Sequence, residues 1–263
     1  MTIYYAIVFF IFGLLFGSFY NVVAYRIPKK ESIVFPSSHC TTCGHKLTVL
    51  ELIPVISFLI QGGKCKHCGE KISWFYTIFE LLTGLLFMLS FLIFGFSIEL
   101  IIALIFVSIC DITIISDYKY MVILDEVLII GGIGIIICLF INNGISNNSF
   151  DIVKALKETG INLLHGLGAF LTMYIIKIIG DLIFKRESMG GGDIKLMAIF
   201  GLVLGYINSL VSIALASFIG LPITLFLMKA KKGEEIPFGP FLVVGALILF
   251  FTKFNITSFL GLY

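Results

Sequence analysis

Four cysteines between residues 40 and 68 stand in two Cys-x-x-Cys pairs. The first pair is Cys40 and Cys43, the second is Cys65 and Cys68, and a glycine directly follows each pair. Such a turn points two thiolates to one side of a metal ion, and two turns complete a closed tetrahedral site. The spacing therefore predicts a structural zinc. The alternatives are two disulfides or four free thiols.

A second group of candidate residues consists of acidic side chains in or beside apolar stretches, where a charge is costly. Asp117 ends one such stretch, and Asp193 begins another directly after the glycines 190–192. Two carboxylates from different helices suit an aspartic peptidase, in which the pair shares one proton and activates a water molecule. The alternative is that both acids only cap helices or pair with Lys119 and Lys195.

The composition indicates that these residues are held in a membrane protein. Of the 263 residues, 59% are hydrophobic and only 13% are charged. A soluble domain is about half apolar and about a quarter charged. Lipid must therefore cover most of the surface. The chain has no long basic run with interleaved aromatic residues, so we do not expect nucleic acid as a partner.

Apolar runs long enough to cross a bilayer recur along the chain and predict an all-α polytopic protein with about eight transmembrane helices. The predicted spans are 3–25, 75–95, 98–117, 121–141, 162–184, 194–206, 208–229 and 238–260. No Lys or Arg precedes the first span, whereas Arg26 follows it. This order is the reverse of that in a signal peptide, so we interpret the span as a permanent helix.

The positive charges are concentrated on one side of this topology. Fourteen of the 18 Lys and Arg residues fall in the segments 26–74, 117–121, 185–195 and 229–235. The positive-inside rule places these segments in the cytoplasm. The cysteine cluster and both candidate aspartates are then expected on the cytoplasmic side of the cell membrane.

Further motifs make the chain resemble a known family. They are Gly17-Ser18-Phe19-Tyr20-Asn21-Val22-Val23, Arg26-Ile27-Pro28, the double Cys-x-x-Cys, Ile53-Pro54-Val55-Ile56-Ser57-Phe58, Glu80 after Tyr76, Asp117 with Asp125 eight residues later, Gly190-Gly191-Gly192-Asp193-Ile194-Lys195, and Ile236-Pro237-Phe238-Gly239-Pro240. The chain resembles the bacterial type IV prepilin peptidases, which are similar to intramembrane aspartic proteases of the GxGD type. It departs from the family pattern at Leu124, Thr77 and Ser188.

The resemblance implies two activities. Asp117 and Asp193 would be the catalytic pair that cleaves the leader of prepilins or pseudopilins at the cytoplasmic face. The larger bacterial members then methylate the new N-terminus with S-adenosylmethionine. The supporting or substrate-facing residues would be Asp125, Gly190, Gly191, Gly192, Lys195 and Glu80.

The resemblance also implies a division of the chain. Residues 1–25 would form the first helix, 26–74 a cytoplasmic zinc-binding domain associated with methyl transfer, and 75–263 the peptidase domain. Two other classes remain as alternatives. Intramembrane acids and a cysteine-rich loop also suit a zinc or proton-coupled transporter, and zinc could hold a docking domain in a structural subunit of a secretion machine.

Overall fold

The computed structural model of the chain describes residues 1–146, 149–230 and 237–254. The described residues are almost all helical and form two compact units, Met1–Phe96 and the residues from Ser97 onward. The predicted division at residues 25 and 74 stays a prediction.

The first unit contains two long helices and a polar segment between them. Its helices are α1 Thr2–Arg26, the short 3-10 turns Ile27–Lys29 and Val49–Leu52, the short helix α2 Ile56–Ile60, and α3 Trp74–Phe94. Lys30 at φ 59° ends the first 3-10 turn in a left-handed conformation, and Ser73 caps α3 by accepting a hydrogen bond from the Phe75 backbone N–H. The chain therefore leaves and re-enters the helical pair at defined points.

Glycines bring α1 and α3 into backbone contact. A Cβ at Gly13 would lie 2.7 Å from the Gly84 Cα, and a Cβ at Gly17 would lie 2.9 Å from the Glu80 Cα. Small residues at such positions let membrane helices approach closely, and packing rather than hydrophobicity drives their association. Gly13 and Gly17 therefore determine where α1 contacts α3.

The second unit contains six further helices and a small hairpin. They are α4 Ile98–Tyr120, α5 Asp125–Gly144, the strands β1 Ile145–Ser146 and β2 Ser149–Phe150, α6 Ile152–Phe184, α7 Gly191–Leu204, α8 Tyr206–Ala230 and α9 Gly239–Thr252. The strands pair antiparallel, Ile145 with Phe150. Helix α4 forms the centre of this unit, where its Phe106 and Ile115 are fully buried.

All eight predicted spans coincide with helices, so the all-helical fold is confirmed, and the bounds of α5, α6 and α9 differ most from the prediction. Helix α5 begins at Asp125, later than predicted, because Met121 takes a left-handed conformation at φ 53° and ends α4. Helix α6 begins at Ile152 instead of 162, because the Asp151 carboxylate caps it by accepting hydrogen bonds from the Val153 and Lys154 N–H groups.

Among the described residues, six helices are long and apolar enough to cross a membrane. They are α1, α3, α4, α5, α6 and α8. Helices α7 and α9 have 14 residues each, which is about 21 Å and less than the roughly 30 Å of a hydrocarbon core. The predicted span 238–260 is too long, because Lys253 takes a left-handed conformation at φ 50° and α9 ends at Thr252. Residues 255–260 lie outside the described residues, as does Ile236 of the last motif.

The outward faces of these helices are apolar. Phe12, Ile130, Leu164 and Phe218 are each more than half exposed, which would expose these side chains to water in a soluble protein. In a bilayer the same surface is in contact with lipid. The chain is therefore a multi-pass membrane protein.

Replacing Gly13 with leucine is expected to separate α1 from α3, because the new side chain overlaps the α3 backbone. Overpacking of this kind should lower the midpoint of thermal unfolding in detergent by on the order of 5 °C. The matched control is Gly160→Ala in α6, where a Cβ meets no atom within 4 Å and the midpoint should not fall. Equal midpoints for the two variants would contradict the proposed contact.

Candidate active site and metal centre

Asp117 lies in the last turn of α4 and is only 7% exposed. The turn is closed by the Met121 backbone N–H, which donates a hydrogen bond of 2.9 Å to the Asp117 carbonyl. The side chain of Asp117 accepts a further hydrogen bond from the backbone N–H of Gly239, at the start of α9. This carboxylate is thus held between two helices that are far apart in the sequence.

Asp193 is the third residue of α7 and is 8% exposed. Gly190 precedes the helix in an extended conformation, with φ −65° and ψ 142°. The free N–H groups and dipole of a helix N-terminus favour a negative charge at this position. Among the described residues, Asp193 Oδ1 has no hydrogen-bond partner. This oxygen is therefore available to a water molecule or a substrate.

The two aspartates meet at Gly239. A Cβ at Gly239 would overlap Asp117 Oδ2, and it would lie 3.1 Å from the Asp117 Cγ and 3.5 Å from Asp193 Oδ1. Asp117 Cγ and Asp193 Oδ1 are therefore at most about 6.6 Å apart, the sum of these two distances. The structure brings the two predicted catalytic residues together, and only a glycine fits beside them.

The connector between α4 and α5 holds the start of α7. Lys195 Nζ donates to both carboxylate oxygens of Asp125 at 2.7 Å, and both side chains are about half exposed. A Cβ at Gly192 would lie 2.7 Å from the Ile123 Cβ. These two contacts flank Asp193 in sequence and fix the first turn of α7 against the segment that follows Asp117.

The three glycines before Asp193 differ in their surroundings. Gly192 leaves no room for a side chain beside Ile123, whereas a Cβ at Gly191 would meet no atom within 4 Å. A Cβ at Gly190 would make only an ordinary contact of 3.6 Å with Asp193 Oδ2. Only Gly192 is thus required by the packing of the described residues, and the predicted role of the other two toward substrate stays a prediction.

A pair of neighbouring carboxylates of this kind can do acid–base chemistry. Like charges at close range disfavour double ionisation, so one group keeps a proton while the other is ionised. The ionised group can accept a proton from water, and the protonated group can donate one to a carbonyl oxygen. The arrangement is thus competent for hydrolysis of a peptide bond.

The cysteine pairs in the first unit form two turns of the same geometry. The Gly44 N–H donates to the Cys40 carbonyl, and the Gly69 N–H donates to the Cys65 carbonyl, both at 2.9 Å. Gly44 and Gly69 have φ values of 71° and 74°, a conformation that glycine adopts without strain. The sequence pattern thus predicted both turns and the reason for their glycines.

The four thiols point to a common centre. Their sulfur atoms all lie within 4.8 Å of one another, and all four are free of disulfides. Cys40 Sγ is 3.8 Å from Cys68 Sγ, and Cys43 Sγ is 4.0 Å from Cys65 Sγ. A tetrahedron with Zn–S bonds of about 2.3 Å has edges of about 3.8 Å. The four thiols are thus close enough together to bind one metal ion.

The pKa values of two of these thiols are shifted by backbone hydrogen bonds and by the neighbouring thiols. Hydrogen bonds from the backbone N–H groups of Cys43 and Thr42 lower the pKa of Cys40 to about 6. Cys68 has a backbone hydrogen bond from Glu70, yet desolvation and the neighbouring thiols raise its pKa to about 12. A lowered pKa favours the thiolate, which is the form that binds metal.

Glu80 belongs to the first unit and does not take part in the aspartate pair. It is 8% exposed, and its Oε2 accepts a 2.9 Å hydrogen bond from the Val55 backbone N–H. Val55 has φ 63° and ψ −51°, an unusual conformation for a β-branched residue. Glu80 thus holds a strained turn in the Ile53–Phe58 motif.

A cavity of about 450 Å³ opens beside this turn, within the first unit. Its walls include residues of α1, of α3 and of both cysteine turns. Among them are Ser18, Asn21, Tyr76, Glu80, Cys40 and Cys65. Asn21 is 5% exposed, and its Oδ1 has no hydrogen-bond partner among the described residues.

Two residues of these sites were not singled out from the sequence. Gly239 and Asn21 both lie inside motifs that carried the family resemblance, and that was the only signal available for them. Neither has an ionisable side chain, so a search for charged or metal-binding residues passes over both. Their importance depends on contacts with residues far away in the sequence.

Comparison with known families matches each unit separately. The model described as "Bacterial Peptidase A24 N-terminal domain" matches residues 11–94, and the model of the "Type IV leader peptidase family" matches residues 100–225. No solved structure matches the chain.

Curated relatives cover nearly the whole chain, and those compared below carry the name "Prepilin leader peptidase/N-methyltransferase". The relative from Bacillus subtilis is 35% identical over 95% of both chains. The one from Pseudomonas aeruginosa is 30% identical over 90% of this chain and 86% of its own. The one from Vibrio cholerae is 29% identical over 96% of this chain and 98% of its own. The chain therefore belongs to the type IV leader peptidase family.

Proposed function

We propose that this protein is a membrane aspartic endopeptidase that cleaves the leader from prepilins or pseudopilins and then methylates the new N-terminal amine. The observation that carries the peptidase is the pair of buried carboxylates, Asp117 and Asp193, on either side of Gly239. The relatives that match end to end are named for both activities.

In the cleavage step, the ionised member of the pair accepts a proton from a water molecule. The water oxygen adds to the carbonyl carbon of the scissile bond, while the protonated aspartate donates to the carbonyl oxygen. Collapse of the tetrahedral intermediate breaks the C–N bond. The aspartate that took the proton of the water donates it to the leaving amine, while the other aspartate takes a proton from a hydroxyl group of the intermediate. Asp193 Oδ1, which has no protein partner among the described residues, is suited to hold the water.

The charges of the chain support a cytoplasmic location for this chemistry. Asp117, Asp193 and the cysteine cluster all belong to the segments that carry most of the Lys and Arg residues, as expected on the cytoplasmic side. A prepilin can place its apolar helix in the bilayer while its leader stays in the cytosol. The scissile bond would then lie near the membrane surface.

Asp125 and Lys195 help to position the aspartate pair, Asp117 and Asp193. Their ion pair joins the start of α5 to α7 two residues after Asp193, so it helps to orient that carboxylate. Because Asp125 is about half exposed, it also remains accessible to a basic group of the leader. We assign no direct role in the chemistry to either residue.

Methyl transfer needs a donor, and we propose S-adenosylmethionine, which supplies an electrophilic methyl group when bound. The cavity of the first unit fits this molecule, because about 450 Å³ lies within the roughly 300–1,000 Å³ of ligand sites. Asn21 Oδ1 is a buried acceptor without a partner among the described residues. Asn21, Tyr25 and Tyr76 would hold the donor.

The four cysteines would hold a structural zinc ion. Their sulfur distances match a tetrahedral site, and a closed site of four thiolates leaves no position for a substrate. The zinc would therefore fix the turns that line the cavity. The comparisons give no support to the alternative of a membrane transporter.

The peptidase assignment predicts that Asp117→Asn and Asp193→Asn each lower leader cleavage by roughly three orders of magnitude or more. Asp125→Asn, which breaks only the ion pair with Lys195, should lower it by less than about ten-fold. Glu126→Gln, an exposed neighbour of Asp125, serves as the control. The measurement is cleavage of a prepilin in liposomes, with the product mass determined with and without S-adenosylmethionine. Processing by either Asp117→Asn or Asp193→Asn at the native rate would refute the assignment.

Gly239→Ala should displace the Asp117 carboxylate, because the new methyl group occupies the position of Oδ2. A misplacement of about 1 Å lowers activity by about 100-fold. Gly160→Ala, which meets no atom within 4 Å, should cleave at the native rate. Both rates are compared at matched protein concentration after thermal unfolding has shown that each variant is folded. Native activity of Gly239→Ala would show that the glycine is not required.

Metal analysis of the purified protein should find about one zinc atom per chain. Cys40→Ser is expected to lower the zinc content and to open the segment 38–72 to added protease, since ligand loss unfolds small zinc sites. Cys138→Ser, in α5 and outside the cluster, should retain the metal. A well-folded native protein without zinc would remove this part of the proposal.

A further inference from the structure

The cavity of the first unit has one buried acid in its wall. Four glutamates line it, namely Glu31, Glu51, Glu70 and Glu80. Glu31 and Glu70 are exposed. Glu51 already accepts hydrogen bonds from the Thr48 N–H and hydroxyl group, which lower its pKa to about 2. Glu80 alone among these four combines deep burial with remaining capacity to accept hydrogen bonds.

The Glu80 carboxylate accepts fewer hydrogen bonds than it can, and both of its donors are neutral. It accepts from the Val55 N–H at 2.9 Å and from the Ser18 side chain, whereas a carboxylate offers about four acceptor positions. None of the ion pairs found among the described residues includes Glu80. A buried carboxylate is normally paired, so a cationic group of a ligand would complete the contacts of Glu80.

The other walls suit a molecule that combines a cation with an aromatic base and a carboxylate. The rings of Tyr25 and Tyr76 lie 5.2 Å apart at an angle of 34° and offer surfaces for stacking or for contact with a cation. Arg26 and Lys29 also line the cavity and can pair with a carboxylate. Asn21 Oδ1 is a further acceptor for a donor group.

We propose that this cavity binds S-adenosylmethionine and that the Glu80 carboxylate recognises its positively charged sulfonium group. The inference rests on the proposed methyl-transfer function and adds to its cavity the residue that recognises the charge of the donor. Glu80 is thus a binding residue for the methyl donor and belongs to a different site from the aspartate pair.

The sulfur of the donor loses its positive charge in the reaction, so a carboxylate beside it can distinguish the donor from the product. The N-terminal amine attacks the methyl carbon with its lone pair, the new N–C bond forms as the S–C bond breaks, and the electron pair of that bond stays on sulfur. The products are a methylammonium group, which releases a proton to water, and S-adenosylhomocysteine, whose sulfur is neutral. A carboxylate beside the sulfur therefore binds the donor more tightly than the spent product and favours its release.

The test measures binding of S-adenosylmethionine and S-adenosylhomocysteine to the full-length protein in nanodiscs by calorimetry. The native protein should bind S-adenosylmethionine more tightly, by on the order of ten-fold or more, as expected for a charge-assisted contact. Glu80→Gln should reduce this ratio to about one, because the amide has no charge but still accepts the Val55 hydrogen bond. Glu31→Gln, which removes an exposed carboxylate from the same cavity, should keep the native ratio.

A second variant tests the location without altering Glu80. Ser57 lines the cavity, so Ser57→Phe should fill it and weaken the binding of both compounds equally. Native affinity of Ser57→Phe would overturn the assignment of the cavity. A native ratio in Glu80→Gln, or no binding of S-adenosylmethionine by the native protein, would overturn the inference.

The proposed function is tested separately by the mass of the processed substrate. A methylated product together with an unchanged ratio in Glu80→Gln would leave methyl transfer standing and remove the role of Glu80. A product without a methyl group, from native protein that cleaves normally, would remove the proposed methyl transfer itself.

Discussion

The backbone contact between helices at glycines is the constraint on which the rest of the structure depends. In lipid, helices gain little from burying apolar side chains against each other, so close packing decides which helices associate. Within the second unit, a Cβ at Gly201 would meet the backbone of His165 and Gly166, and one at Gly245 would lie 2.7 Å from the Ser212 carbonyl. These contacts fix α7 against α6 and α9 against α8. They thereby set the positions of Asp193 and Gly239, which lie at the starts of α7 and α9.

The two units differ in the chemical groups that they bring together and in the elements that position them. The second unit holds two carboxylates away from water, so that each one changes the proton affinity of the other. The first unit has a polar segment too small for a hydrophobic core of its own, and a small domain of this kind commonly relies on a structural metal. The second unit thus uses packed helices to bring two acids together, and the first unit uses local turns to bring four thiols together.

Much of this arrangement was predictable from the sequence, for physical reasons. Apolar runs predicted the positions of eight helices, because the bilayer imposes a polarity and, on six of them, a length. The cysteine spacing predicted the cluster, because a four-thiolate site is formed by local turns. The contact of Asp125 with Lys195 joins residues 70 positions apart, and Gly239 reaches Asp117 from the last helix. Such contacts depend on which helices lie side by side, and the hydrophobic pattern of a sequence does not specify which helices are neighbours. The hydrogen bond from the Val55 N–H to Glu80 could not be predicted from the sequence, for the same reason.

The length of α6 has a consequence for the shape of the second unit. Its 33 residues extend about 50 Å, and even a tilt of roughly 40° leaves about 38 Å along the membrane normal. The hydrocarbon layer is only about 30 Å thick. Charged residues lie near both ends of α6, with Lys154, Lys157 and Glu158 in the first two turns and Lys177 and Asp181 near the other end. The layer therefore cannot cover the whole of α6, and at least one of its charged ends extends beyond the hydrocarbon into water.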